Sequence, residues 1–208
     1  MSKVPESAKV VVIDDDEAVL DSLRVLLESE GFDVDTFERA NTFLQGFQGK
    51  LPGCLVTDVR MPEMDGLELL QALSARGPLP AVIVITGHGE VPMAVQAMKL
   101  GARDFLEKPF APADLIASIR AALTAAARPP AATDPEICRR LELLTPRERE
   151  VLEQLVIGRS NKGIARALAI SPRTVEIHRA RVMEKMGAAS LSQLVRMAFA
   201  AGIDPGAT

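Results

Sequence analysis

The sequence predicts an α/β doubly wound fold, a five-stranded parallel sheet of strand order 2-1-3-4-5, followed by an all-α helix-turn-helix domain. Five short apolar runs alternate with helix-period segments over the first 126 residues, which is typical of a parallel sheet covered by helices. A segment rich in Ala and Pro, 124-TAAARPPAATDPE-136, then shows little periodicity. After it the periodicity is helical only, without a strand candidate.

The first half contains five strand–helix units. The strands are 9–14, 32–37, 53–58, 81–86 and 104–107, and the helices are about 17–30, 39–48, 65–76, 90–100 and 112–126. The first, third and fourth strands are the most continuously apolar. Central strands of a parallel sheet are buried on both faces, so we expect these three at its centre.

The last part of the chain predicts four short helices, about 146–157, 161–168, 172–186 and 190–201. Thr145 stands before Pro146 and Glu148, a pattern typical of a capped helix start. Glycines occur where helices should end, namely Gly158, Gly187 and Gly202. The sequence therefore predicts a first domain at 1–126, a linker at 127–142 and a second domain at 143–208.

Composition limits the functional classes. The 208 residues are 48% hydrophobic and 25% charged, which suits a soluble globular protein. No apolar run approaches the roughly 20 residues of a membrane span, and the N-terminus lacks the layout of a signal peptide. Two cysteines are too few for a disulfide framework, so we expect Cys54 in the core and Cys138 as an incidental thiol. These features favour a reduced, cytoplasmic protein.

Charge differs between the two halves. Residues 1–126 contain 11 Lys and Arg against 19 Asp and Glu, whereas residues 127–208 contain 13 against 9. An acidic module thus precedes one whose charge suits a polyanion. Ordinary solvated helix faces explain so small a surplus equally well.

Polar residues follow the predicted strands. The first strand ends in three acids at 14–16, the third ends in Asp58, the fourth ends in Thr86, and Lys108 follows the fifth. Ligands of doubly wound sheets bind beyond the carboxyl ends of the strands, where strand order reverses. Because the first and third strands are neighbours in the predicted order, we expect these groups around one small volume.

Asp58 has three possible roles: a cap or turn residue, a metal ligand, or a nucleophile. An isolated Asp at a strand end favours the first role. However, carboxylates clustered with Asp14 and Asp15 cannot all ionise without a cation, and Mg²⁺ prefers such oxygen ligands. A hydroxyl at Thr86 and an ammonium at Lys108 suit the oxygens of a phosphoryl group. Together they predict a Mg²⁺ site in which Asp58 accepts a phosphoryl group.

A second class of protein shares part of this pattern. An apolar strand followed by Asp14 and Asp16 resembles the start of a haloacid-dehalogenase-type phosphatase, in which the first Asp is the nucleophile. That family needs a later acidic pair for Mg²⁺, and 101-GARDFLEKPF-110 offers none. It also leaves 57-TDVRMPEMDG-66 without a role, so the sequence disfavours this alternative.

Residues about 8–126 resemble a response-regulator receiver domain. The resemblance rests on Asp14-Asp15, on 58-DVRMPEMDG-66 and on 83-IVITGHGEVPMAVQAMKLGARDFLEKPF-110. It implies that a sensor histidine kinase phosphorylates Asp58. It also implies that Mg²⁺ binds Asp14 or Asp15, Asp58 and the backbone carbonyl of Arg60.

The same resemblance assigns the residues that respond to phosphorylation. Thr86 and Lys108 would hold the phosphoryl oxygens, and Phe105 occupies the aromatic switch position. The Lys108–Pro109 bond is implied to be cis. The face around the fourth helix is either an ordinary surface or the face that repacks and dimerises when Thr86 moves toward the phosphate.

The segment 159-RSNKGIARALAISPRTVEIHRARVMEKMG-187 predicts a helix-turn-helix, whose second helix can enter the major groove. On that second helix, Val175, Val182 and Met186 point to the core. Ile177 lies on the outer side, where it suits a thymine methyl. Basic residues of the two helices suit phosphates. A small helical bundle that docks on protein is the alternative.

Residues 143–204 resemble the NarL/LuxR-type DNA-binding domain, and the two halves together resemble the FixJ branch of response regulators. The resemblance assigns Glu176, Ile177 and Ala180 to base edges, and most basic residues to the DNA backbone. The predicted DNA-contacting residues are Lys162, Arg173, Thr174, Glu176, Ile177, Arg179, Ala180, Arg181 and Lys185.

The sequence thus predicts a two-component transcription factor that is not an enzyme apart from its own phosphotransfer and slow dephosphorylation. Its implied cofactor is Mg²⁺. Its implied partners are a sensor histidine kinase, operator DNA, RNA polymerase and, after phosphorylation, a second copy of the chain. Activation rather than repression is expected by family analogy. The alternative is a phosphorelay or docking adaptor whose tail binds protein.

Overall fold

The computed structural model describes residues 9–46, 51–87, 91–125 and 135–203, which form two compact units. One unit is built on a parallel sheet, and the other consists of helices. The ends of three predicted helices, at 47–48, 90 and 126, and much of the predicted linker lie outside the described residues. Of the helices described, none has the length and apolar character needed to cross a membrane.

The sheet has the predicted order. Its strands are β1 (Lys9–Ile13), β2 (Asp33–Phe37), β3 (Cys54–Asp58), β4 (Ala81–Thr86) and β5 (Asp104–Glu107). All pair in parallel in the order β2-β1-β3-β4-β5. Apart from the first residue of β1, the strands β1, β3 and β4 are buried throughout, whereas β2 and β5 are partly exposed. The prediction that the three most apolar strands lie at the centre is confirmed.

One helix follows each strand along the chain, namely α1 (Glu17–Ser29), α2 (Ala40–Gly46), α3 (Gly66–Ser74), α4 (Val91–Lys99) and α5 (Pro112–Ala125). Successive strand side chains point to opposite faces. Val10 and Val12 of β1 therefore pack together in a core with Leu27 of α1 and Ile119 of α5. Cys54 belongs to this core, as predicted.

The helical unit contains α6 (Pro135–Glu142), α7 (Pro146–Ile157), α8 (Asn161–Leu168), α9 (Pro172–Met186) and α10 (Leu191–Ala200). The predicted helix start at Thr145 is a capping box, since Thr145 and Glu148 bond each other's backbone N–H groups. Gly158 and Gly187 end α7 and α9 in the left-handed conformation, which costs glycine little.

Helix α6 was not predicted, and it lies in the second half of the segment assigned as the linker 127–142. The sequence 135-PEICRRLE-142 spans only two turns and has few apolar residues, so its periodicity is too short to detect. Its formation depends on tertiary packing, because helices this short are marginal by themselves. Leu141 is buried in the helical core, and Ile137 packs against that core.

Candidate functional site

Three charged groups predicted to converge at the carboxyl edge of the sheet do so. Asp14 follows β1, Asp58 ends β3, and Lys108 follows β5. The Lys108 ammonium lies 3.0 Å from Asp14 Oδ2 and 2.5 Å from Asp58 Oδ2. One amine thus bridges two carboxylates that are 44 residues apart in the sequence and adjacent in space because β1 and β3 are paired.

Each of these carboxylates is also held by the backbone. Asp14 is 2% exposed, and its Oδ1 accepts a hydrogen bond from the Asp16 N–H at 3.0 Å. Asp58 is 8% exposed, and its Oδ1 accepts from the Arg60 N–H at 2.8 Å. The second oxygen of each group faces Lys108, so the geometry orients both carboxylates toward the same point.

Burial and hydrogen bonding act in opposite directions on the pKa values of Asp14 and Lys108. It raises the pKa of Asp14 above its usual value, although the Asp16 N–H and Lys108 oppose the increase. Burial alone would lower the pKa of Lys108, but its hydrogen bonds to Asp58 and Asp14 together raise it. Lys108 is therefore an ammonium at neutral pH. It supplies a single positive charge for two carboxylates, which leaves the site suited to a further cation.

The remaining predicted site residues differ in how far they are buried. Asp15 is exposed, and among the described residues no three acidic, His or Cys side chains are grouped as a metal site. Thr86 is fully buried, with its hydroxyl 3.4 Å from the Gly87 carbonyl. Phe105 is buried on β5, opposite Val84. The Lys108–Pro109 bond is cis, as the resemblance implied.

The loop after Asp58 is closed by two close backbone contacts. The Gly66 N–H donates to the Val59 carbonyl at 2.9 Å. A Cβ added to Gly66 would lie only 2.4 Å from the Asp58 carbonyl oxygen, so the start of α3 can approach β3 this closely because residue 66 is glycine. Asp65 caps α3 in a capping box with Glu68.

Sequence reasoning missed the conformation of Glu63 in this loop. Glu63 has a φ of 67°, a left-handed conformation that is uncommon for residues other than glycine. Its carboxylate lies 2.8 Å from Arg39 Nη1 and 3.4 Å from Asn41 Nδ2. No sequence signal marks this contact, because Glu is not a residue typical of positive φ.

The outer face of α9 is exposed as predicted. Val175, Val182 and Met186 are buried in the helical core. Ile177, on the opposite side, is 47% exposed. The other exposed residues of the predicted face are Arg173, Glu176, Ala180 and Arg181. The helix thus presents a mixed basic and apolar surface to solvent.

Three other predicted DNA-contacting residues lie in the first turns of α8 and α9 or in the middle of α9. Lys162 is exposed on α8. The Arg179 guanidinium donates to Asn161 Oδ1 at 2.6 Å, which joins α9 to the first residue of α8. Ser171 is the N-cap of α9, and its Oγ accepts a hydrogen bond from the Thr174 N–H at 3.0 Å. Of these residues, Arg179 links α9 directly to α8.

The structure gives Lys185 partners within its own domain. Its ammonium lies 2.6 Å from Glu148 Oε2 and 3.1 Å from the Leu143 carbonyl. Glu148 is 2% exposed, and the Lys185 hydrogen bond lowers its pKa to about 2, although burial opposes the decrease. Releasing Lys185 to bind a phosphate would leave a buried carboxylate without its cation, which is costly. The ion pair therefore competes with a phosphate contact, and the role of Lys185 in DNA binding stays a prediction.

Family comparisons match both units. Residues 10–120 match the family described as "Response regulator receiver domain". Residues 142–198 match "Bacterial regulatory proteins, luxR family". The two matches together cover most of the chain, and the first alone covers more than half of it.

Individual relatives share both parts. The chain is 56% identical over 204 residues to the "Transcriptional regulatory protein FixJ" of Azorhizobium caulinodans, covering 97% of each chain. It is 43% identical to the "Response regulator protein TodT" of Pseudomonas putida, covering 90% of this chain and 84% of TodT.

A solved structure is also similar to the chain. Full-length FixJ from B. japonicum is 51% identical, with a TM-score of 0.56 and coverage of 94% of this chain and 98% of that chain. The sheet order, the bridged carboxylates, the exposed helix α9 and both family matches agree. The chain therefore belongs to the two-component response regulators that join a receiver domain to a LuxR-type DNA-binding domain, and it is homologous to the FixJ transcriptional regulators.

Proposed function

We propose that a sensor histidine kinase phosphorylates Asp58 and that this modification drives dimerisation and sequence-specific DNA binding, which regulates transcription. The observation that carries the proposal is the Lys108 ammonium between the buried carboxylates of Asp14 and Asp58, at 3.0 and 2.5 Å. A structural ion pair would need one carboxylate. Two carboxylates on one amine, beside a buried threonine, suit a site that receives a phosphoryl group.

In the transfer step, a carboxylate oxygen of Asp58 attacks phosphorus. The bond from phosphorus to the donor's imidazole nitrogen breaks, and that nitrogen keeps the electron pair. Lys108 then donates to a phosphoryl oxygen, and Thr86 donates its hydroxyl to another. Asp14, with the Asp16 N–H on its Oδ1, stays oriented toward the site.

Mg²⁺ fits the oxygen donors at this edge of the sheet. We propose that Asp14, Asp15, Asp58 and the backbone carbonyl of Arg60 hold it. Bound there, it neutralises charge that develops on the phosphoryl group. Asp15 is exposed, so it contributes to the site from the solvent side.

The burial of Thr86 and Phe105 supports the proposed switch. Thr86 ends β4, and Phe105 lies on the neighbouring strand β5. A Thr86 side chain drawn toward the phosphate vacates buried space, which Phe105 repacks to fill. Phosphorylation then need only favour the dimerising state by a few kcal/mol to shift the population.

DNA recognition is assigned to the outer face of α9 with support from α8. We propose that Glu176, Ile177 and Ala180 contact base edges. Backbone contacts come from basic and hydroxyl residues of the two helices, namely Lys162, Arg173, Thr174, Arg179 and Arg181. The LuxR-family match at 142–198 favours DNA over a protein partner for this unit. Contact with RNA polymerase and activation of transcription complete the proposal.

An Asp58→Asn variant tests the phosphorylation step. With acetyl phosphate and Mg²⁺, wild-type protein should dimerise and bind DNA duplexes selected in vitro. Under the same conditions Asp58→Asn should neither dimerise nor bind these duplexes. Asp21→Asn is the matched control, because it removes an exposed carboxylate of α1. An Asp58→Asn protein that responds to the phosphodonor as wild type does would overturn the mechanism.

A pair of substitutions separates affinity from specificity. Lys162→Ala should weaken binding to all DNA and reduce the slope of log affinity against log salt by about 0.9, as expected for one lost phosphate contact. Ile177→Ala should leave the slope unchanged and alter the preferred sequence. If both variants shift all sequences alike, the division of roles between α8 and α9 is wrong.

A further inference from the structure

Helix α6 is attached to the far end of the recognition helix α9. The Arg140 guanidinium, in the last turn of α6, donates from Nη1 to the carbonyl of Met186 at 2.7 Å. Met186 is the last residue of α9, where carbonyl groups lack partners within the helix and the helix dipole is negative. Arg140 Nε also contacts Glu136 Oε1 at 3.0 Å, which orients the guanidinium along α6.

A second bond runs in the opposite direction. The Lys185 ammonium of α9 donates to the carbonyl of Leu143, just after α6, at 3.1 Å. Each helix end thus supplies a cation to a backbone carbonyl of the other segment. We call the four residues Arg140, Leu143, Lys185 and Met186 the α6–α9 clamp.

Neighbouring residues leave room for the Arg140 guanidinium and anchor the end of α6. Gly187, which caps α9, has a φ of 63°, and a Cβ added there would lie 2.2 Å from Arg140 Nη1. The Leu141 carbonyl accepts from Arg149 Nη2 of α7 at 2.9 Å, and the Leu141 side chain is buried in the core. The last turn of α6 is therefore anchored independently of its contact with α9.

We propose that Arg140 is a positioning residue for DNA recognition: through Met186 it determines the angle at which α9 presents its outer face. This inference rests on the proposed function of α9. A 15-residue helix is about 22 Å long. A small displacement at its C-terminal end is therefore carried along the rigid helix to Ile177 and Ala180, whose fit to base edges requires accurate placement. Phosphate contacts tolerate such a displacement better, because they depend mainly on charge.

The test compares full-length Arg140→Met with Arg139→Met. Both variants remove one positive charge from α6, but the Arg139 side chain is 77% exposed and bridges the half-exposed Glu136 at 3.5 Å. Affinity is measured with acetyl phosphate, over a range of salt, for a duplex selected in vitro by the wild-type protein and for a scrambled duplex. Circular dichroism establishes that each variant is folded at the assay temperature.

Arg140→Met should bind the selected duplex about tenfold more weakly, which is about 1.4 kcal/mol. Its affinity for the scrambled duplex and its salt dependence should match those of Arg139→Met. Arg140→Lys, which keeps a charged donor, should recover part of the loss. If Arg140→Met and Arg139→Met lose affinity equally for both duplexes, Arg140 acts only through charge and the inference fails.

A second variant keeps the test decisive if Arg140→Met does not fold. Gly187→Ala retains every charge, but its Cβ would displace the guanidinium from Met186. It should lose discrimination between the selected and scrambled duplexes, and full discrimination would overturn the inference. Wild-type protein that binds no DNA would instead refute the proposed function itself, so the two failures are distinguishable.

Discussion

Replacing Gly66 by alanine should disturb both stability and phosphorylation, because the start of α3 lies against the backbone of β3. The new Cβ would lie 2.4 Å from the Asp58 carbonyl oxygen and 3.1 Å from Val59 Cα. Neither atom can turn aside, since both belong to the main chain. Asp58 is paired with Ile85 in the sheet, and the Val59 N–H donates to the Ile85 carbonyl at 2.9 Å.

The size of the effect follows from these distances. Ordinary van der Waals contact begins near 3.4 Å, so the loop or α3 must move by about 1 Å. Such overpacking costs about 1–3 kcal/mol. The hydrogen bond from the Gly66 N–H to Val59 weakens as well, by about 0.5–1.5 kcal/mol. A total of about 1.5–4.5 kcal/mol is a large part of the typical 5–15 kcal/mol stability of a domain. A 1 Å misplacement near Asp58 is also enough to slow a transfer reaction about 100-fold.

The stability effect is measured by urea unfolding followed by far-UV circular dichroism, because the chain contains no Trp or Tyr for fluorescence. Phosphorylation is measured from acetyl phosphate by phosphate-affinity electrophoresis. Gly46→Ala is the matched control, since a Cβ added to Gly46 meets nothing within 4 Å. If Gly66→Ala unfolds and is phosphorylated as Gly46→Ala is, the close approach does not constrain the site.

Three other features of the chain make measurable predictions. Because the pKa of Glu148 is lowered from 4.5 to about 2, chiefly by Lys185, its charge adds stability that is complete above pH about 4.5 and lost as pH falls toward 2. The gap in urea midpoint between wild type and Glu148→Gln should close over that range, and a gap that stays constant would contradict the assignment. Glu63→Gly should raise the urea midpoint above that of Glu63→Ala, because a positive φ costs other residues about 1–3 kcal/mol; equal midpoints would show that the loop carries no such strain. Burial raises the pKa of Cys54 to about 12. Iodoacetamide at neutral pH should therefore modify only the exposed Cys138 of the two cysteines in the folded protein. Alkylation of Cys54 in the folded protein, detected by mass spectrometry, would refute this.

The sequence by itself determined the strands, most of the helices and which charged residues meet at the edge of the sheet. The apolar runs of the strands and the cap at Thr145 depend on residues within a few positions of one another. Such local patterns are visible in the sequence. The convergence of Asp14, Asp58 and Lys108 was also predictable, because strand ends in a sheet of known order meet at one edge. The buried and exposed faces of α9 followed from helical periodicity in the same way.

The tertiary structure decided the rest. The sequence did not reveal that Lys185 pairs with Glu148, 37 residues earlier in the chain. Helix α6 exists because Leu141 reaches the core, and Arg140 gains a role only where α6 meets the end of α9. These pairings depend on how helices pack, and packing joins residues whose separation in the chain carries no periodic signal. For that reason a basic residue read from the sequence has two possible partners, DNA or a carboxylate of its own domain, and only the folded arrangement distinguishes them.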